Sequence, residues 1–304
     1  MIDGHVTVLR SRPEVAVGSV LNEFLRSSEG QRLLESRCFT GSTNQVELSR
    51  AQLGKLTFNM PPVEEQRRIA EILDTIDETV QATERVIAKL ELIRDGRRRA
   101  VLSAQIAECH SSQFGEQFAM ILGKMMSPAA LVGRNPSPFL ANRNVQWERF
   151  VLNDLDRMDF SEHEKHKFAL KSGDLLVCEG GEVGRAAVWQ AGQADTFFQK
   201  AIHRLRPVGS VSSEYAVQYL RHASESGIFA KFTSQTSIAH LTGEQLSRMP
   251  IPVPTHEFQQ LLIGELSTLR TTIELERANL EKFRNTRSGL AADLLSSRVR
   301  TVAS

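Results

Sequence analysis

The sequence predicts the α+β class: globular segments of mixed strands and short helices, joined by two long coiled-coil helices. Three observations carry that prediction. The first is an internal repeat. Shifting the 304-residue chain by 193 positions aligns two long stretches without a gap. Leu48, Gln52, Leu53 and Pro61 fall on Leu241, Gln245, Leu246 and Pro254. Glu64, Gln66, Leu73, Thr75 and Thr79 fall on Glu257, Gln259, Leu266, Thr268 and Thr272. Lys89, Arg94, Gly96, Leu102 and Ser103 fall on Lys282, Arg287, Gly289, Leu295 and Ser296. The second observation is a heptad seam in each copy, the a/d spacing of a coiled coil. The third is the stretch between the copies, where short apolar runs are broken by Gly, Pro and Asn.

Residues 1–60 come first. Leu9-Arg10 resembles Leu205-Arg206 and Phe24-Leu25 resembles Tyr219-Leu220, which sets Met1 at about position 197 of the second copy. The counterpart of residues 109–196 is missing ahead of it. Residues 1–60 are therefore expected to be the C-terminal fragment of a first globular domain, short of the strands that close a core unaided. Residues 61–108 form the first long helix, with Ile69, Leu73, Ile76, Val80, Thr83, Ile87 and Leu90 on its seam. Pro61 and Pro62 stand just ahead of it, where a helix can begin but not continue backwards.

Residues 109–254 make a complete α+β domain. Leu175–Cys178, Ala186–Trp189 and Ala201–Leu205 are candidate strands, with turns at Lys171-Ser172-Gly173-Asp174 and Gly180-Gly181, and a helix is expected from Ser213 to Ala230. Residues 255–304 form the second long helix, with Leu262, Leu266, Leu269, Ile273, Glu276, Leu280 and Phe283 on its seam behind Pro252 and Pro254. A helix of about 40 residues is ~60 Å long. The two seams are best buried against each other. A helical hairpin inside one larger domain is the alternative, but about 145 residues separate the helices, far more than a hairpin loop needs. Gly96 and Gly289 recur at matched positions although a helix-interior glycine costs ~1 kcal/mol relative to alanine. Their recurrence suggests a close approach of the helices or a bend, against a frayed end.

Composition narrows the function. Hydrophobic content is 41%, ordinary for a globular protein. No apolar run approaches the ~20 residues of a membrane span, and no signal peptide opens the chain. Cys38, Cys109 and Cys178 lack CxxC spacing, which points to a reducing, cytoplasmic setting without structural zinc. Lys and Arg number 37 against 36 Asp and Glu, a net +1. DNA binding cannot be read from that total and requires basic groups gathered on one face.

Catalytic motifs are not found. Gly180-Gly181-Glu182-Val183-Gly184 lacks the Lys-Ser/Thr of a nucleotide loop. Asn135-Pro136-Ser137-Pro138-Phe139 is similar to the Asn-Pro-Pro-Phe of amino-methyltransferases but lacks the adjacent proline, and reads as a turn. Glu162-His163-Glu164-Lys165-His166 has its histidines three apart, not four, and reads as a charged turn or helix end. Asp174 serves a turn. No metal site and no cofactor is expected.

The order of these parts resembles the specificity subunit of type I restriction-modification enzymes. The residues that carry the resemblance are Thr57-Phe58-Asn59-Met60-Pro61-Pro62-Val63-Glu64-Glu65-Gln66 with Ile69, and Pro250-Ile251-Pro252-Val253-Pro254 with Gln259. Gly41-Ser42-Thr43 with Leu48, and Ser234-Gln235-Thr236 with His240-Leu241, match the family's loop before its last strand. Lys171-Ser172-Gly173-Asp174-Leu175-Leu176 followed by Glu179-Gly180-Gly181-Glu182-Val183-Gly184-Arg185 matches a target recognition domain. The resemblance implies that each recognition domain reads one half of a split site on double-stranded DNA. It implies that the helices pack antiparallel and set the spacer. It also implies that methyltransferase subunits, and then restriction subunits, assemble around the chain and carry the chemistry. For the shortened first domain three outcomes stay open: an inactive remnant, a separate polypeptide that supplies the missing half, or a homodimer on a symmetric site. A coiled-coil interaction protein without a DNA role and an independent enzyme are the rival classes.

Sequence is read by Arg or Lys on guanine and by Asn or Gln on adenine, while hydroxyls and cations hold phosphates. Three clusters in the complete domain supply such groups. Arg134, Asn142, Arg143 and Asn144 lie in a stretch rich in Pro, Ser and Asn. Gln199, Lys200, His203 and Arg204 follow Phe197-Phe198. Ser234, Gln235, Thr236 and Ser237 precede His240. Trp147 and Trp189 are expected in the core. Arg97, Arg98 and Arg99 on the first long helix are candidates for phosphate or a partner, against a solvated helical face.

Overall fold

The computed structural model describes residues 6–42, 45–131, 133, 136–190, 196–232, 240–296 and 298–301. Two compact units emerge, Met1–Leu90 with Thr272–Ser304, and Glu91–Thr271. Each long helix, Val63–Glu108 and His256–Leu295, contributes to both.

In the first unit the helices Gly18–Arg26 and Ser28–Arg37, a hairpin of strands Phe39–Ser42 and Gln45–Leu48, and the short helix Arg50–Leu53 precede the first long helix. Ile69 and Leu73 pack with Val20, Ala291 and Leu294, and Ile87 packs with Ile273, Leu280, Val80 and Leu90. Glu65 pairs with Arg300, Asp77 with Arg287 and Glu84 with Arg284. Numbers rise on one helix as they fall on the other, so the pair is antiparallel. Ile76 and Leu269 are half-buried. Phe283 is 36% exposed and does not belong to the seam. Val20 of the preceding helix joins the contact, where Ala291 and Leu294 are buried with it.

The second unit is built on a four-stranded antiparallel sheet ordered Ala186–Val188, Leu175–Cys178, Ile202–Pro207, Phe118–Leu122. Leu175–Cys178 is buried on both faces. Leu175 and Val177 face a core that includes helix Ser213–Glu225, with Leu102, Leu262 and Leu266 of the long helices. These two second-helix seam residues thus serve the domain core. Leu176 and Cys178 face a core with Phe139, Leu140, Phe197 and Phe198. Burial pushes the Cys178 thiol up to about 11.

Several expectations are corrected. Pro136–Leu140 is not a turn but a strand, antiparallel to Asp156–Asp159 and parallel to Phe197–Phe198. Its parallel neighbour pairs only with Phe139 and Leu140, so the N–H groups missing at Pro136 and Pro138 are not required on that side. The strand expected from Ala201 starts at Ile202, because Ala201 has a φ of 93° and closes a tight turn. The helix from Ser213 ends at Glu225, and Gly227, at a φ of 70°, turns the chain into a 3-10 turn, Ile228–Lys231. Gly96 and Gly289 have open space where a Cβ would stand, so close helix approach does not explain them. Arg98 is fully buried and bonds Asp95 and Glu225 at 3.0 and 2.6 Å, while Arg97 pairs with Glu265. Neither is a free surface cation. Arg99 is exposed.

The repeat is visible in side-chain roles. Gln66 is buried; its Oε1 accepts from Val17 N at 2.8 Å, and its Nε2 donates to Val15 O at 3.4 Å and Pro61 O at 2.7 Å. Gln259 does the same: Oε1 accepts from Ser212 N at 2.9 Å, and Nε2 donates to Ser210 O at 3.0 Å and Pro254 O at 3.1 Å. Both glutamines tie the start of a long helix to the segment before an earlier domain helix, Gly18–Arg26 in one unit and Ser213–Glu225 in the other.

Candidate nucleic-acid interface

The turn after strand Leu175–Cys178 is the hub on which the candidate residues converge. The Glu179 N–H donates to Ala201 O at 2.9 Å, and the Leu241 N–H donates to Glu179 O at 2.8 Å. Asn142 Nδ2 donates to Gly180 O at 2.7 Å. A Cβ at Gly180 would stand 3.0 Å from the His240 ring, a contact tight enough that the ring would have to shift. Stretches far apart in sequence, at Asn142, Lys200-Ala201 and His240, thus meet on two backbone units. Arg185 braces them, its Nη2 donating to Asn142 O at 2.8 Å and its Nη1 pairing with Glu182. Glu182 also accepts from the Trp147 indole N–H.

Not every candidate is placed to touch DNA. Asn142 is half-buried and Arg143 exposed, with Arg143 paired to Asp156 at 2.7 Å. That hydrogen bond holds the Arg143 pKa above its ordinary value. Gln199 is half-buried and Lys200 exposed at the tip of the turn that Ala201 closes. His240 is exposed. Asn144, by contrast, is 2% exposed, its amide spent on Ala141 N, Val151 O and Asp154 O. Arg204 is buried over Phe198 and donates to Lys167 O and Ala169 O; burial and then the nearby Arg206 lower its pKa, with Asp174 opposing. His203 is buried with Nε2 3.2 Å from Leu241 O; burial lowers its pKa against the pull of Glu179 and that carbonyl. These three hold the fold that carries the turn. Arg134, Ser234, Gln235, Thr236 and Ser237 lie outside the described residues.

Asp174 does serve its turn, accepting from Lys171 N at 2.8 Å, and it also takes both ends of the Arg206 guanidinium at 2.7 Å. Trp189 is in the core, and Trp147 packs at its margin. Residues 162–166 fall in a helix, Glu162–Phe168, capped by Ser161 and Glu164. Among the described residues no group of three His, Cys, Asp or Glu side chains is placed to hold a metal, and no helix is long and apolar enough to cross a membrane. Sequence reasoning missed Arg185 and Glu179 as parts of this surface. The signal was present in the loop that bears them, which resembled a recognition domain as a whole and named no residue in it.

The model of the type I restriction modification DNA specificity domain matches residues 24–92 and 149–283. A Mycoplasma pneumoniae protein assigned as a type I specificity subunit is 23% identical over 231 residues, covering 74% of this chain; the chain spans 58% of that relative's length. The HsdS subunit from Thermoanaerobacter tengcongensis is 18% identical at a TM-score of 0.55, over 94% of this chain and 72% of the other. The type I restriction-modification S subunit from M. genitalium is 16% identical at a TM-score of 0.55, over 93% and 74%. At these identities the two structures show a shared fold.

Proposed function

Because the chain belongs to the type I restriction modification DNA specificity domain family, we propose that it is the non-catalytic DNA sequence-recognition subunit of a type I restriction-modification complex. Residues 109–254 act as a complete target recognition domain, and residues 1–60 act as the C-terminal part of a first one. The helices, 61–108 and 255–304, set the spacer between half-sites and dock the methyltransferase subunits. Methyl transfer and cleavage belong to the modification and restriction subunits of the complex, in the cytoplasm. One observation carries the reading most. Lys200 and His240, exposed and from separate stretches of chain, stand beside the Glu179-Gly180 turn, which Asn142 braces through its bond to Gly180 O and Ala201 through its bond to Glu179 N. Base readout needs such convergent donors and acceptors held without freedom to adapt to any sequence.

The test is co-expression with the neighbouring methyltransferase subunit and mapping of adenine methylation across host DNA. A bipartite asymmetric motif supports the reading and means that a first recognition domain is completed. A symmetric interrupted motif also supports it, through a homodimer. Neither a complex nor methylation defeats it and favours a coiled-coil protein without a DNA role.

A further inference from the structure

Carboxylates near the candidate interface are mostly neutralised. Glu182 is bound by Arg185 and Trp147, Asp156 by Arg143, Asp174 by Arg206, Glu164 by Lys124 and Glu148 by Arg221. Glu179 is the exception. Among the described residues its carboxylate has no hydrogen-bond or ion-pair partner. It is half-buried and opens on a groove of about 540 Å³ beside His203, Thr242 and strand Phe118–Leu122. The backbone that carries it is nonetheless tightly set, because the Glu179 N–H and C=O are both spent on the flanking stretches, at Ala201 and Leu241.

A carboxylate on a DNA-binding surface is repelled by phosphate. It contributes only if it accepts from a base. A carboxylate has no hydrogen to give, so it discriminates by what lies beside the donor. Cytosine presents its N4 amino group to the major groove with no acceptor beside it on the same base. Adenine sets its N6 donor next to the N7 acceptor, and guanine and thymine present acceptors there. The four bases are therefore unequal partners for one fixed carboxylate, and cytosine is the best.

We propose that Glu179 is a specificity-determining residue that selects cytosine at one position of the recognised half-site by accepting from its exocyclic amino group. The inference rests on the recognition reading above. The backbone bonds of the Glu179-Gly180 turn fix the point from which the carboxylate reaches, and the His240 ring packs against Gly180 beside it.

The experiment compares methylation motifs directed by the wild-type chain, Glu179→Gln and Glu179→Ala, each co-expressed with the methyltransferase subunit and checked for a stable complex. The wild-type motif is expected to hold a C·G pair at one position. Glu179→Gln, now both donor and acceptor, is expected to shift that position alone towards adenine. Glu179→Ala is expected to relax it, with a loss of discrimination on the order of tenfold. An unchanged motif in both variants overturns the proposal and leaves the recognition reading intact. Loss of methylation at all sites by both variants in stable complexes also overturns it, since that marks a structural role. No methylation by the wild-type complex defeats the recognition reading itself, and the proposal with it.

Discussion

Gln66 and Gln259, 193 positions apart, clamp their surroundings with matching sets of three bonds. Replacing Gln259 by alanine leaves the half-buried Ser212 N–H and the buried Pro254 carbonyl without their partner, while the exposed Ser210 carbonyl can turn to water. Each orphaned group costs ~1–3 kcal/mol, so a loss of about 3 kcal/mol is expected, read as lost hydrogen-exchange protection at Ser212 and along helix Ser213–Glu225. The Gln259→Glu variant is expected to be no better, since a carboxylate turns an acceptor towards two carbonyls. Unchanged protection at Ser212 would mean that the clamp is dispensable. The repeat marked both glutamines as equivalent letters, but what they hold was invisible, because Val15 and Ser210 lie about 50 residues earlier. The same gap explains the recognition candidates. Arg143, Lys200 and His240 were chosen by residue type and stand at the surface. Asn144, His203 and Arg204 were chosen by the same rule and are buried, because the groups that read bases also satisfy backbone.

At the scale of elements, Arg287 joins three helices of the first unit. Its guanidinium bonds Asp77 on the first long helix at 2.7 and 2.9 Å and both oxygens of Glu23, on helix Gly18–Arg26, at 2.9 Å. Those bonds raise its pKa and lower that of Glu23. A charge-assisted bond contributes ~1.5–3 kcal/mol, discounted here for partial exposure. Arg287→Ala is expected to destabilise the unit by about 2 kcal/mol, with hydrogen exchange fastest to rise in helix Gly18–Arg26. Arg287→Lys is expected to recover less than half, because an ammonium cannot fork to two carboxylates at once. Equal exchange in all three proteins would show the junction to be ornamental. Heptads were legible because their period is local. The part that Val20 takes in the contact with Ala291 and Leu294 was not, since it comes from a helix some 270 positions earlier in the chain. Strand Pro136–Leu140 failed for a related reason: its prolines signalled a turn, and the sequence did not show that its parallel neighbour pairs only with Phe139 and Leu140.

For the whole molecule, a net charge of +1 says little about DNA, because what counts is which cations are unspent. In the second unit Arg143, Arg185, Arg206, Arg221 and Lys124 each face an acid, and Arg204 is buried. Lys200 is exposed at the tip of its turn, beside the hub. That arrangement could not be read from the sequence, where each of these residues counts as one positive charge. It has a measurable consequence. Every phosphate neutralised steepens the fall of log affinity with log salt by ~0.9. If the ion pairs persist on binding, few phosphates are neutralised and the slope is shallow. Lys200→Ala is then expected to reduce the slope by about one and to weaken specific and unrelated duplexes alike. Glu179→Gln acts in the opposite sense: it changes preference among sequences and leaves the number of phosphate contacts alone. Titrating both variants and the wild-type complex over a range of salt, on the methylated motif and on a scrambled duplex, separates the two contributions. A wild-type slope near the ~10 known for strongly electrostatic DNA binders would mean that the ion pairs open on DNA, and that the arginines now facing Asp156, Asp174 and Glu182 are the phosphate ligands instead.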